Sequence, residues 1–402
     1  MLQTTLDGVR VIDFSQIGAG PTCSMYLGDL GADVIKIEPP GGDLGRKLGK
    51  PWVQDESPVY MAFNRNKRSV CVDLKTPQGL QLLHRLAAGA DVVVESFRPG
   101  VMQRLGLDYR RLSAANPRLV YCSVSAFGQT GPAAHKPGVD GIVQGESGLM
   151  SLIGLPDTEP CKVQAPVVDI ATGFIATIGV VSALLARERS GAGAWVDTSL
   201  FASAIALQQS AFTEFLGSGR LPVKAGSSAP YAAPNEAFEA ADGWLMVAAY
   251  NGGRWERLCE VLGLAGDPAL AALADLDSRI EHRAGMRSLL APKFRQRTVE
   301  HWLQALSAAD IVCGRVADYQ DLQDSPQLAH LNLVESIRLQ DGRQFRVPAF
   351  PINSAQRERP SRPPPACGEH TVQVLVELGV PEEQIQDLRR DGVVFAAGDA
   401  RG

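Results

Sequence analysis

Short apolar runs at residues 9–14, 33–38, 69–74, 91–97 and 119–125 are rich in Val and Ile and are separated by stretches with helical spacing. Over residues 76–90, for example, Leu80, Leu83 and Leu86 recur at near-helical intervals. Strand runs alternating with amphipathic helices are the signature of a parallel sheet with helical crossovers. The N-terminal part of the chain is therefore expected to be doubly wound α/β. Farther on, Ile170, Phe174, Ile178, Val181 and Leu185 mark a long helix that follows Asp169 and stops at Ser190-Gly191. A strand at 194–197 and a second apolar helix over 200–216 complete this part.

The pattern then breaks. Residues 217–234 are rich in Gly, Pro and Ser without periodicity and are expected to form a linker. Residues 236–240 and 244–250, joined by Asp242-Gly243, predict a hairpin, and helical spacing follows at 254–262 and 298–307. A chain of 402 residues exceeds what one hydrophobic core usually supports. The expected organisation is a large domain over 1–216, a linker at 217–234, a small α+β domain over 235–325, and a return linker at 326–365. The last linker includes a proline-rich stretch at 357–365, and residues 366–402, with a helix at 371–378, are expected to rejoin the large domain.

Composition narrows the function classes. The chain is 45% hydrophobic and 21% charged, with a net charge of −5, so it lacks the concentrated positive charge of a nucleic-acid protein. Seven dispersed cysteines, without C-x-x-C spacing, point away from zinc and toward reduced thiols, and no metal is expected. The start Met-Leu-Gln-Thr-Thr lacks a basic and then apolar leader pattern, and no run of about 18 apolar residues stands out. A cytoplasmic location, with no membrane partner, is expected.

Three features carry candidate chemistry. Gly18-Ala19-Gly20-Pro21 lies between a strand and a helix, where a tight turn lets backbone approach an anion. Cys23 occupies the third small-residue position of a dinucleotide fingerprint, and Pro39-Pro40 follows the acidic Glu38, so a plain strand–helix turn is favoured over nicotinamide binding. Asn66, Lys67, Arg68, Lys75, Arg98 and Arg104 form a thin basic series near strand ends, suited to phosphates or simply to solvent. Asp169 precedes Ile170 at an expected N-cap, where it would satisfy backbone N–H groups. The same place would favour an ionised carboxylate, the form a nucleophile needs. There is no G-x-S-x-G elbow and no H-E-x-x-H.

Taken in order, these and neighbouring motifs resemble the family III CoA-transferases, which include formyl-CoA:oxalate CoA-transferase, the L-carnitine dehydratase group and bile-acid-inducible protein F. The matching segments are 6–14, Ala19-Gly20-Pro21, 27–38, Asn66-Lys67-Arg68-Ser69 with 73–75, Glu95-Ser96-Phe97-Arg98-Pro99-Gly100, 123–128 with Gly131-Pro132, 137–140, the Asp169 segment and Gly368-Glu369-His370-Thr371. The resemblance implies a Rossmann-like large domain formed by both chain ends plus a small α+β domain, two chains being interlocked as a homodimer. It implies that Asp169 attacks an acyl-CoA thioester, that a mixed anhydride and then an enzyme–CoA thioester form, and that a carboxylic acid accepts the CoA. No permanently bound cofactor is implied, since the CoA thioester is a substrate.

By the same resemblance, Ile17, Lys75, Phe97, Arg98, Arg104 and Lys136 fall at CoA-contacting places. Gly18, Val139 and Asp140 fall at the substrate pocket, and Gly252 and Gly253 lie in a glycine loop, Tyr250-Asn-Gly-Gly253, that assists catalysis. Val139-Asp140 stands where the oxalate enzyme has Tyr-Glu, and Gly18 where it has Gln, so oxalate is not singled out as acceptor. Two rivals share the fold. An α-methylacyl-CoA racemase would need a Gly-His-Asp segment, but this chain has Gly138-Val139-Asp140, with His135 earlier in the loop. A non-catalytic CoA-binding subunit would retain Asp169 only as a cap.

Overall fold

The computed structural model describes residues 2–53, 56–251, 253–339, 341–352 and 360–399. The chain separates into two units, one of residues 1–150, 162–220 and 329–402, the other of residues 151–161 and 221–328.

The first unit is built on a sheet whose strands are β1 (Arg10–Asp13), β2 (Asp33–Glu38), β3 (Lys67–Val72), β4 (Val92–Glu95), β5 (Val120–Ser125) and β6 (Trp195–Ser199), with Val394–Phe395 at one edge. The order across the sheet is Val394–Phe395, β3, β2, β1, β4, β5, β6. β1 to β6 are mutually parallel, and Val394–Phe395 runs antiparallel to β3. Parallel strands covered on both faces read as continuous apolar runs, which is why Val92, Val93 and Val94 are all fully buried. One face packs Ile12, Ile35, Val70 and Val93 beneath helices that supply Leu83, Leu86, Leu375 and Ile385. The other packs Val11, Val34, Val94 and Val124 beneath Cys23, Leu27, Ala176 and Val180. The latter four belong to helices Ala19–Asp29 and Val167–Ser190, which touch closely enough that a Cβ on Gly173 would lie 2.5 Å from Thr22.

Several expectations are corrected. The long helix begins at Val167 with Pro166 at its N-cap, so Asp169 sits within the first turn rather than at the cap. By length and composition this helix could cross a membrane, contrary to the reading that no such stretch exists. The helix expected over 200–216 divides at Gln208 into Leu200–Leu207 and Gln209–Ser218. The basic series is not a ligand edge at Lys67 and Arg68. They open β3 at its N-terminal end and are consumed by ion pairs, Lys67 with Asp13 at 3.1 Å, Arg68 with Asp33 at 2.6 Å and Glu377 at 2.9 Å.

Lys36 on β2 is also fully buried, 2.7 Å from Asp43 Oδ2 and donating to the Ser15 carbonyl at 2.8 Å. Burial pushes Lys67 down to about 8, whereas Lys36 is held above its usual range because Asp43 and Asp13 outweigh its desolvation. Lys36→Met leaves two buried carboxylates short of a counter-charge. It should cost about 3–5 kcal/mol. Guanidinium unfolding of the full chain checks this, and a loss below about 1 kcal/mol would refute it.

The second unit has a three-stranded antiparallel sheet, Asn235–Ala240, Gly243–Ala248 and Val312–Arg315. Its core gathers Phe238, Leu245 and Val247 against Trp255, Leu258, Phe294 and Trp302. Helices Arg254–Val261 and Val299–Ala308 match the sequence spacing, while Leu276–Glu281 and Arg283–Phe294 lie in a region for which no element was expected. The first unit also holds a hairpin, Val334–Arg338 with Gln344–Pro348, which packs on Tyr60 and Met61 of the same unit.

Candidate active site

In an open parallel sheet, ligands bind outside the carboxyl ends of the strands where the connection order reverses. Here that point lies between β1 and β4. A cavity of about 650 Å³ opens there, lined by the loops after β1, β4 and β5 and by the start of the long helix. Of the residues expected at the site, Ile17, Gly18, Phe97, Arg98, Lys136, Val139 and Asp169 line it. Lys75, Arg104 and Asp140 do not. Lys75 follows β3, its backbone N–H bonded to Asp73 at 2.9 Å, and Arg104 ends the helix Val101–Arg104. Asp140 is buried beneath the cavity wall, with Oδ2 accepting backbone N–H bonds from Val168 and Asp169. Gly253 belongs to the second unit, at the head of Arg254–Val261, and Gly252 lies outside the described residues.

Asp169 presents a carboxylate to this cavity. Its carboxylate is half-buried, and no described group donates a hydrogen bond to it. Burial pushes its pKa from the ordinary 3.8 up to about 7, and the negative charge of Asp140 adds to the rise. The helix N-terminus alone would act in the opposite direction, so desolvation dominates. A carboxylate without donors is poorly stabilised as an anion and correspondingly more nucleophilic.

The backbone facing Asp169 is held under strain. Ile17 has φ +69°, a left-handed conformation that a β-branched residue rarely adopts. It is retained because its N–H donates to Asp43 Oδ1 at 3.1 Å, and the same oxygen accepts from Gly45 at 2.7 Å. Asp43 is in turn fixed by Lys36. The next residue, Gly18, lies against the Asp169 carboxyl so closely that a Cβ there would be 2.9 Å from Asp169 Cγ and would collide with Oδ2.

Cationic groups are present but unequal. Arg98 makes no ion pair among the described residues, whereas Lys136 lies 2.6 Å from Glu146. Gln16, Ser96 and Ser125 also line the cavity and were missed from the sequence. Their signal was positional, since each ends or follows one of the strands β1, β4 and β5 whose loops line the cavity. A second cavity of about 600 Å³, sharing Arg98 and Pro99, contains Glu95, Tyr109, Trp195 and His135. His135 thus lines this second cavity and not that of Asp169. Among the described residues no cluster of three or more His, Cys, Asp or Glu side chains could hold a metal ion.

Residues 6–371 match the family model for CoA-transferase family III. The chain belongs to that family. The transferase is 37% identical over 381 residues to the succinate–glutarate CoA-transferase of Agrobacterium fabrum, covering 93% of this chain and 95% of the relative. It is 36% identical over 383 residues to the acetyl-CoA:oxalate CoA-transferase of Acetobacter aceti, covering 94% and 96% of the two chains. Among solved structures, a CAIB/BAIF family protein from Brucella suis superposes with a TM-score of 0.84 at 34% identity, covering 94% of the transferase and all of that chain. CoA thioesters are accordingly the substrates of this enzyme.

Proposed function

We propose that the enzyme moves CoA between carboxylic acids by covalent catalysis at Asp169, on a Rossmann-like scaffold. The observation that carries this reading is a donor-free, half-buried carboxylate aimed into the cavity at the strand-order reversal. One Asp169 oxygen attacks the thioester carbon, the C–S bond breaks and CoA leaves as thiolate, giving a mixed anhydride. The thiolate then attacks the aspartyl carbonyl carbon and expels the donor acid as its carboxylate, leaving CoA in thioester linkage to Asp169. An incoming carboxylate repeats both steps in reverse, so no net proton or redox partner is consumed. The burial of Asp169 supports the first step, because desolvation raises the reactivity of a carboxylate that water would otherwise stabilise. Each tetrahedral oxyanion needs donors, and by family resemblance this role is assigned to Gly252 and Gly253. CoA contacts are assigned to Ile17, Phe97, Arg98 and Lys136 in the cavity and, by resemblance, to Lys75 and Arg104.

The acceptor class is read from relatives whose names include succinate, glutarate, mesaconate and oxalate. All four are dicarboxylic acids, and the ion-pair-free Arg98 in the cavity suits a second carboxylate or a CoA phosphate. Turnover with succinyl-CoA and a panel of mono- and dicarboxylates, followed by peptide mass spectrometry, tests the reading. A CoA or acyl adduct is expected on Asp169, and its absence under conditions of full transfer would sink the mechanism. The racemase alternative gains nothing from His135, which lines the other cavity.

The working unit is proposed to be a homodimer. Exposed Phe174, Ile178 and Leu185 on the long helix, with Phe212 and Leu216 on Gln209–Ser218, present apolar surface that a second copy would cover. Light scattering should give twice the 43.0 kDa chain mass, and a monomer at micromolar concentration would contradict it. Seven free cysteines support a cytoplasmic location.

A further inference from the structure

The first turn of the long helix has backbone N–H groups that need acceptors, and Pro166 at its N-cap offers no side-chain oxygen. The acceptor comes instead from another helix. Asp140, the first residue of Asp140–Glu146, is 8% exposed, and its Oδ2 receives the N–H of Val168 at 2.8 Å and of Asp169 at 3.1 Å. Its other oxygen accepts from Gln144 Nε2 at 2.5 Å. Gln144, fully buried, also grips Val163 in both directions, Nε2 to the carbonyl at 3.2 Å and Oε1 from the N–H at 2.9 Å. The strand of chain leading into the catalytic helix is thus clamped at three backbone positions by one Asp-Gln pair.

We propose that Asp140 is a positioning residue of the transfer reaction: a buried carboxylate that caps the catalytic helix from outside and holds a second negative charge behind the nucleophile. It touches only the backbone of residue 169, so it acts through Asp169 rather than on substrate. The arrangement does two things at once. The paired N–H bonds fix where the Asp169 Cα sits relative to Gly18, while the like charge disfavours ionisation of Asp169. A more basic carboxylate is a better nucleophile toward the thioester and a poorer leaving group from the anhydride, which directs the returning thiolate to the aspartyl carbonyl and expels the donor acid rather than Asp169. The remaining groups facing the Asp169 carboxyl do not duplicate this effect. Helix Ala19–Asp29 contributes no charged side chain to the cavity, the β4 loop contributes Arg98, and Lys136 arrives already paired with Glu146.

This inference rests on the Asp169 reading, and the two can fail separately. Carbodiimide coupling of glycinamide to Asp169, followed by peptide mass against pH, reads the protonated fraction without any substrate. In the full-length wild type the midpoint should lie near 7. Asp140→Asn keeps an oxygen for the backbone but removes the charge, and its midpoint should fall by about one unit, a tenfold change in ionisation. Gln144→Ala loosens the clamp without altering charge. It should leave the midpoint near 7 and lower kcat about tenfold with little change in KM, measured with succinyl-CoA and glutarate. An unmoved midpoint in Asp140→Asn, or an unaltered kcat in Gln144→Ala, overturns the proposal. If Asp140→Asn does not fold, Asp140→Glu serves in its place, with the midpoint expected to stay high and kcat to fall; wild-type kcat in that variant would count against positioning. Failure of the Asp169 reading appears elsewhere, as a wild-type enzyme that turns over without ever carrying an adduct.

Discussion

Asp169→Asn should fold and lose transfer. The amide occupies the same volume but has no nucleophilic oxygen anion, and loss of a covalent nucleophile typically lowers kcat by about 10⁴-fold or more. CoA exchange between succinyl-CoA and a free acid measures it, and activity within tenfold of wild type would refute the assignment. The same substitution carries a stability signature that a purely structural Asp would not. In the wild type the folded-state pKa of Asp169 is raised from 3.8 to about 7, by burial first and Asp140 second. The raised value means that the favourable contribution of the neutral acid is complete below about pH 4 and is lost as pH climbs through 7. Asn does not ionise, so the variant should be more stable than wild type at pH 8 and not at pH 4. Allowing for the partial exposure of the carboxyl, the difference should be on the order of 2 kcal/mol. Denaturant unfolding at the two pH values decides it, and equal gaps at both would show that burial does not penalise the anion.

Gly18→Ala should be nearly as damaging to turnover while sparing the fold. Gly18 has φ −122° and ψ −80°, outside the basins that ordinary residues prefer, so alanine adds some backbone strain there. The larger demand comes from Asp169, whose carboxyl occupies the space that the new methyl would enter. The carboxyl must swing aside, and a displacement of about 1 Å at a reacting atom can cost roughly 10²-fold in rate. A fall of that size in kcat with the melting temperature changed by only a few degrees is the expected result. Wild-type kcat in Gly18→Ala would mean that the observed proximity of Gly18 and Asp169 does not persist in the reactive complex.

The parallel strands were legible because burial on both faces demands unbroken Val and Ile, as in Val92, Val93 and Val94. Asp169 was legible as the head of a helix and as a motif position, although its place three residues into the first turn was not, because Pro166 begins the helix earlier than the apolar spacing suggests. What escaped the sequence depends on partners far along the chain. Lys67 read as a phosphate-binding or solvated cation until Asp13 is placed beside it, and no local pattern reports that. Ile17 breaks a local rule, a β-branched residue at positive φ, and only the Asp43 hydrogen bond explains why the rule yields. Asp140 was assigned to the pocket wall from its motif, whereas its carboxylate turns inward toward N–H groups 28 and 29 residues away. Arg98 stood in the same basic series as Lys67, and only the sheet order separates the residue facing a cavity from the one spent in a core.

The edge strand Val394–Phe395 has a consequence for how the enzyme is made. β3 finds its outer neighbour only when residues 394 and 395 arrive, and until Gly368 and His370 are made the Ser69 oxygens lack the backbone N–H donors they accept from in the folded chain. During synthesis, then, the nascent chain carries an open sheet margin until residues 394 and 395 are made, and a ribosome that stalls before them releases a product with an adhesive flank. Arrival of residues 394 and 395, rather than emergence of the long helix that carries Asp169, is what closes this margin of the sheet.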